Sequence, residues 1–378
     1  MNYKKLPDIC NITTGKLDAN AAVAGGAYPF FTCAPEPITI DSFAFDCDAI
    51  LLAGNNAQGN FHITRYNGKF NAYKRTYVIT AKDGYNIDFI KYMLELSLAH
   101  FKSQAQGSQT KFLTIQILNS FSIPDISLDE QIKTVGPLVV LDKKINNNNN
   151  ACAELEAMAK TLYDYWFVQF DFPDENGKPY RTSGGAMEWC QELGREVPKG
   201  WKVRRLPEVS SVQYGFPLST EKFSSTGNRV VRIRDIIDNS YSALTNEAVG
   251  NEYFTQEDDL LVGMDGNFQM NYWTRNGDIV NQRITRIRKT VIPIMLIKMQ
   301  IQPYITAKID TVARSTVGHL GDADFSERYI LVPEGLDIDI FDDYLSKIVS
   351  LRKENQELSD LRDWLLPMLM NEQAQVEK

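Results

Sequence analysis

From Ile132 to Pro173 the chain repeats one spacing without a slip. Leu138, Leu141, Ile145, Asn148, Cys152, Leu155, Ala159, Leu162 and Trp166 follow one another at alternating steps of three and four. That is the seam of a coiled-coil helix. At 1.5 Å per residue such a helix would be roughly 55 Å long, more than a compact domain of this size needs. A spacer fits that length. A long core helix inside one globular domain would show the same periodicity, so the choice falls to the rest of the chain.

The rest of the chain makes the same object twice. Lys5-Leu6-Pro7-Asp8-Ile9 is answered by Arg205-Leu206-Pro207-Glu208-Val209. Asp48 to Gly54 is answered by Asp258 to Gly263, with Leu51 and Leu260 taken as partners 209 positions apart. Gly59-Asn60-Phe61 matches Gly266-Asn267-Phe268, and Tyr66, Gly68 and Arg75 match Trp273, Gly277 and Arg283. Ile123-Pro124-Asp125 matches Val332-Pro333-Glu334, and each precedes a helix that ends in tryptophan, Trp166 or Trp364. One echo is chance; seven in the same order are an internal duplication.

Each copy opens with a mixed region of short β-branched and aromatic runs, such as Thr76 to Thr80 and Arg229 to Ile233, separated by Gly, Asn and Asp turns. Asp88 to His100 is periodic enough for a helix. Between the copies, Asp174 to Gly200 has turn chemistry, and its Trp189 and Val197, with Trp201 just beyond, predict an ordered connector that packs. The expected division is 1–127 and 201–337 for the mixed domains, 128–170 and 338–372 for the helices, and 171–200 for the connector. The fold class expected is α+β: two mixed α/β domains in tandem duplication, separated by two long helices.

Several functions are excluded or made poor. The chain has 378 residues, enough for two or three domains, and no run of 18 apolar residues, so no membrane-spanning helix is expected. Met1 to Asp8 is polar and lacks a signal-peptide core, which predicts a cytoplasmic protein. Five cysteines form no CxxC pair and three scattered histidines suggest no zinc site, so no metal residues are assigned. There is no Asp/Asn-Pro-Pro-aromatic motif of an amino-group methyltransferase and no Gly-x4-Gly-Lys-Ser/Thr phosphate loop. Asp171, Asp174 and Lys178 make a poor nuclease cluster in a turn-rich connector. No catalytic residue is assigned.

What remains is chemistry suited to nucleic acid, although the net charge of −8 argues against a non-specific binder. If Asn281 to Lys289 is one strand, Arg286 and Arg288 share a face and Arg283 lies on the other; Arg232 and Arg234 repeat the spacing. Arginine is the usual side chain for phosphate and guanine. A solvated sheet face with ion pairs explains the same pattern. Amides at Asn55, Asn56, Gln58 and Asn60, and at Asn267 and Gln269, can present donor and acceptor together to adenine. Two recurring loops, Gly107 to Leu113 with Lys111 and Ala313 to Leu320 with Thr316, set hydroxyls beside a basic residue, as phosphate capture needs. An ordinary ST-turn would look alike.

Leu162-Tyr163-Asp164-Tyr165-Trp166-Phe167-Val168-Gln169-Phe170-Asp171-Phe172-Pro173, followed by Asn176-Gly177-Lys178-Pro179-Tyr180, Gly184-Gly185 and Val197-Pro198-Lys199-Gly200-Trp201, resembles the specificity (S) subunit of Type I restriction-modification enzymes. Leu260 to Gly266, Asn281-Gln282-Arg283 and Leu361 to Pro367 resemble it too. The resemblance implies two target-recognition domains held apart by an antiparallel coiled coil, each reading half of a bipartite double-stranded DNA site. It implies DNA contacts from the residues above with Arg75, and subunit contacts from Tyr163, Trp166, Phe167 and Trp364. It also implies two modification subunits that methylate adenine with S-adenosylmethionine, and restriction subunits that use ATP and Mg. The chain itself would then hold no cofactor. A protein-only scaffold is the rival reading.

The second helix has its own seam: Phe341, Tyr344, Ile348, Leu351, Asn355, Leu358, Arg362 and Leu365. Each seam carries one asparagine. Setting Asn148 opposite Asn355 in an antiparallel pair puts Ile145 by Leu358, Cys152 by Leu351, Leu155 by Ile348, Leu162 by Phe341 and Leu138 by Leu365. Leu141 opposite Arg362 is the poor match. A paired asparagine fixes register at some cost in stability.

Overall fold

Both long helices form, as Leu128–Tyr163 and Ile340–Met370, in a computed structural model that describes residues 2–56, 59–107, 110–312 and 318–371. Gln58 and Thr316 therefore lie outside the described residues. The chain divides into two units, Met1–Ile145 with the chain from Leu358 onward, and Asn146–Glu357. The division runs through the helices, so the first unit is built from two distant stretches of sequence.

In the first unit the β-branched run becomes the strand Thr76–Ala81, between Cys10–Thr14 and Phe45–Ala53 in a six-stranded sheet. Both its faces are covered: Tyr77 and Ile79 enter one apolar cluster with Leu6 and Phe89, and Val78 enters another with Phe31 and Phe70. A run apolar on both faces is what such a strand needs. Helix Ile87–Leu96 starts where the Asn86 side chain accepts the Phe89 N–H at 3.0 Å, and buries Phe89, Ile90 and Met93 against the sheet.

The second unit repeats this wiring. Its strands run in the order Ser210–Tyr214, Ile284–Lys289, Leu260–Gly263, Met270–Tyr272, and a second four-stranded sheet flanks them. The Leu-Pro echoes are single helical turns, Leu6–Ile9 and Leu206–Val209, in which Leu6 N–H donates to Phe121 O at 2.8 Å and Leu206 N–H to Arg328 O at 2.7 Å. Gly15 and Gly215 follow in each unit where only hydrogen fits: an added Cβ would stand 1.8 Å from Ala72 O and 2.0 Å from Asn281 O. Strand register corrects one sequence match. Ile50 pairs with Ile79 and Leu260 with Ile287, so Leu260 is the counterpart of Ile50, 210 positions away, not of Leu51. A one-residue slip changes faces in a strand, so the correction decides which side chains are compared.

Within the second unit the helices lie antiparallel. Asn148 Nδ2 donates to Asn355 Oδ1 at 2.9 Å and to Glu354 Oε2 at 2.7 Å, Asn355 Nδ2 donates to Asn149 Oδ1 at 2.8 Å, and Arg352 reaches Glu156 at 2.8 Å. Of the five asparagines 146–150, Asn148 is buried and the others are exposed. The mismatch foreseen at Arg362 is resolved within the first unit: Arg362 Nη1 meets Asp142 at 3.1 Å, which also accepts from Lys91 at 3.0 Å and Tyr92 at 2.7 Å.

After Tyr163 the first helix widens into a π-turn, Asp164–Val168. The connector is ordered by the hairpin Met187–Cys190 with Arg195–Pro198, and Val197 and Trp201 pack into the second unit's core. Trp189 does not: it is 68% exposed, because its position on the two-stranded hairpin turns it away from that core.

Candidate nucleic-acid interface

Four loops of the second unit, far apart in sequence, enclose a groove of about 910 Å³. They bring together Arg232 and Arg234, Asn267 and Gln269, Asn281 to Arg283, and the segment Pro217 to Thr220. Five residues singled out from sequence, Arg232, Arg234, Asn267, Gln269 and Arg283, thus line one concave surface. Their route there differs from the expected strand. Strand Asn228–Val231 ends before the arginines, and Ile233–Asp235 is a 3-10 turn tied down where Asp235 accepts the Arg232 N–H at 2.8 Å. Arg232 spreads over Phe223, 5.6 Å from its centroid, and Arg234 is exposed.

Arg283 also lies outside the strand, which begins at Ile284. Its side chain is 58% exposed, with Nε 3.5 Å from Asp265 Oδ2. His319 Nδ1 meets the other oxygen, Oδ1, at 2.6 Å. The rim of the groove thus offers guanidinium and amide donors, which suit phosphates and base acceptors, beside one carboxylate, which suits the amino group of cytosine. His319 and Asp265 were not foreseen; the only sequence signal was that the loop ending in Leu320 recurs.

Arg286 and Arg288 must be withdrawn from the candidate surface. Both point to Asp259, whose side chain is fully buried: Arg288 Nε at 2.7 Å, and Arg286 Nη1 at 3.8 Å. The Arg286 side chain is 4% exposed, and burial lowers its pKa although Asp259 opposes the shift. Its strand is an inner one, between Ser210–Tyr214 and Leu260–Gly263, and the segment 252–254 lies over the arginines, Glu252 O accepting from Arg286 Nη2 and Phe254 O from Arg288 Nη2, both at 3.2 Å; a buried carboxylate without cations would be costly. By register Arg286 stands where the first unit has the core residue Val78. The alternation of arginines reflected a structural ion pair.

In the first unit Asn55 and Asn56 form a short strand against Phe112 and Lys111. Asn60 Oδ1 accepts from Lys102 Nζ at 2.7 Å, and Lys102 and Lys111 flank Gly59, their Cγ atoms 3.2 and 3.1 Å from where its Cβ would stand. Arg75 is exposed over Phe112, 4.8 Å from the ring centroid. Asn55, Asn56, Asn60, Arg75 and Lys111 are therefore neighbours along one edge. Lys102, the residue that the sequence reading missed, comes from helix Leu98–Gln104, where nothing local marks it.

Arg75 and Arg283 occupy the same backbone position in the two units. Arg75 O accepts Gly54 N–H at 2.8 Å, and Arg283 O accepts Met264 N–H at 2.9 Å. The loops that recur return to the same place as well: Leu113 N–H donates to Gly54 O at 2.9 Å, and Leu320 N–H to Met264 O at 2.8 Å.

Of the expected subunit contacts, Trp364 is 58% exposed, and Tyr163 and Trp166 are partly buried. Phe167 is 1% exposed, stacked on Tyr163 and packed on Trp201 and Phe341, so it is a core residue and cannot touch a partner. Burying such a ring is worth about 2–3 kcal/mol to the fold. Among the described residues no group of His, Cys, Asp or Glu could hold a metal ion, and no helix is long and apolar enough to cross a membrane.

This mixed helix-and-sheet fold is shared with a solved structure. The crystal structure of a Type-I restriction-modification system S subunit from M. genitalium matches it with a TM-score of 0.54 at 15% identity, covering 97% of this chain and 95% of that one. Residues 1–157 match the Type I restriction modification DNA specificity domain. The chain is 44% identical over 223 residues to the Type I restriction enzyme EcoDI specificity subunit of Escherichia coli, covering 55% of this chain and 48% of that protein. It is 24% identical over 322 residues to the MjaIX specificity subunit of Methanocaldococcus jannaschii, covering 79% and 72%. Over these stretches the chain is similar to Type I specificity subunits, and it spans about half the length of the E. coli relative.

Proposed function

We propose that this chain is the non-catalytic DNA-reading subunit of a Type I restriction-modification complex and acts in the cytoplasm. Its two mixed regions, 1–127 and 201–337, are tandem target-recognition domains, and the helices 128–170 and 338–372 form an antiparallel coiled coil that separates them. Each domain reads one half of a bipartite site on double-stranded DNA. Two modification subunits and the restriction subunits assemble on the chain and bring S-adenosylmethionine, ATP and Mg.

The observation that carries this reading is the exposed arginine at one shared backbone position, Arg75 or Arg283, each beside amides on a basic edge or groove. Arginine there can bind phosphate or guanine, and the amides beside it can read adenine. The two edges are not copies in detail. The first offers Asn56, Asn60, Lys102 and Lys111; the second offers Asp265, Asn267, Arg232 and Arg234. Identical readers would select a palindrome, so these select an asymmetric site. Mapping methylated adenines in a host that carries the chain and its modification subunit tests this. A gapped, asymmetric motif is expected; a continuous or perfectly palindromic motif would overturn it.

A further inference from the structure

The second unit contains another cavity, of about 690 Å³, that shares no lining residue with the groove. Tyr272, Met295 and Met299 supply apolar wall, and Lys298 and Arg195 supply positive charge. Lys298 is the fifth residue of helix Ile294–Val312, as Lys91 is of Ile87–Leu96, and an isoleucine precedes each. Lys91 is neutralised by Glu95 at 3.1 Å and Asp142 at 3.0 Å. One turn after Lys298 stands Gln302, which carries no charge. Among the described residues no carboxylate lies within ion-pair distance of Lys298, whose ammonium sits 4.3 Å from the Tyr272 ring centroid.

Glu156 and Asp164 also face this cavity, but Arg352 holds the first at 2.8 Å and Lys160 pairs with the second. Arg195 covers the Phe170 ring at 5.1 Å and reaches the Phe167 carbonyl at 3.5 Å, likewise without a carboxylate. Burial lowers the Lys298 pKa, and Glu156 only partly restores it. A half-buried ammonium with no carboxylate at ion-pair distance is held less well than a paired one, and a carboxylate brought to it would be favourable. Tyr163, which also lines the cavity, and Val168, 49% exposed at its edge, leave apolar surface open beside those charges.

We infer that this cavity docks a segment of the modification subunit, with a carboxylate side chain meeting Lys298 and Arg195 and an apolar neighbour covering Tyr272 and Met299. The inference rests on the proposed function, which supplies that partner; the charge surplus and the apolar wall specify the chemistry of the segment.

Titration calorimetry of the full chain with its modification subunit tests it. Lys298→Met should weaken assembly about tenfold or more, the size of one charge-assisted hydrogen bond, while Tm stays level or rises. Lys298→Arg should assemble normally. If Lys298→Met binds as tightly as the wild type, or loses Tm along with binding, the docking site is wrong and the proposed function stands. If the wild-type chain does not bind the modification subunit, both readings fall.

Discussion

Asn148 Nδ2 stands 2.9 Å from Asn355 Oδ1, joining the two long helices by a polar pair among the buried seam residues Cys152, Ile348 and Leu351. An asparagine facing leucine there would lose the bond across the seam and keep only the one to Glu354 or Asn149. The pair therefore selects one register out of those the 3–4 spacing allows. Asn148→Leu should cost about 1–3 kcal/mol in urea unfolding. Replacing both asparagines by leucine should recover that stability while adding oligomeric species on size exclusion with light scattering. A double variant that stays a single species would show that the pair does not set register.

Arg283 and Arg286 sit three residues apart and should behave as opposites. Arg283→Ala should weaken DNA binding by about 1–3 kcal/mol and lower the salt slope by about one. Arg286→Ala should leave both unchanged and reduce fold stability by about 1–3 kcal/mol, since it strips part of the charge facing Asp259. Fluorescence anisotropy across a salt series, with thermal melts on the same samples, separates the two outcomes.

Asp142 gives the first unit a defined acid sensitivity. Burial pushes its carboxyl up, but Lys91, Tyr92 and Arg362 together hold it below 3.8. A depressed carboxyl contributes stability above its unfolded value, lost as pH falls through the folded one. Asp142→Asn should cost about 1–3 kcal/mol at pH 7, and the gap to wild type should narrow below about pH 4. Glu95 in the same cluster is shifted upward by burial, so the comparison between the two proteins, rather than the wild-type curve alone, isolates Asp142. A gap that stays constant down to pH 3 would count against this assignment.

Cys10 should resist alkylation. Burial pushes its thiol up to about 12, and the thiolate is the reactive form. At pH 8 iodoacetamide followed by mass spectrometry should find Cys10 unmodified in the folded protein and labelled in urea. Labelling at the same rate in both would show that the site is open.

The sequence carried the periodic and the repeated features well. The helix seam, the facing asparagines and the shared Arg75 and Arg283 position were all legible, because spacing alone encodes them. What failed was facing. Arg286 and Arg288 alternate as a solvated or DNA-facing stripe would, and nothing in the strand itself reveals that Asp259 and the carbonyls of Glu252 and Phe254 meet them. Phe167 and Trp189 were misplaced for the same reason, since a core ring and an exposed one read alike. The groove was legible only as scattered residues. Its walls are loops that meet through strand order, and that order is long-range information.

The first unit's core contains Leu369 and Met370 beside Leu6, Ile9, Val135 and Leu138. Translation reaches Leu358 only after passing the whole stretch Asn146–Glu357. At 5–20 residues per second that delay is roughly 10–40 s. Until then the first domain lacks part of its apolar core, which the far end of its own chain supplies. A ribosome stalled just before Leu358 should therefore hold a first domain that proteases cut near Leu138, and release from the stall should protect it. The order of synthesis makes the last helix the closing step for the domain made first.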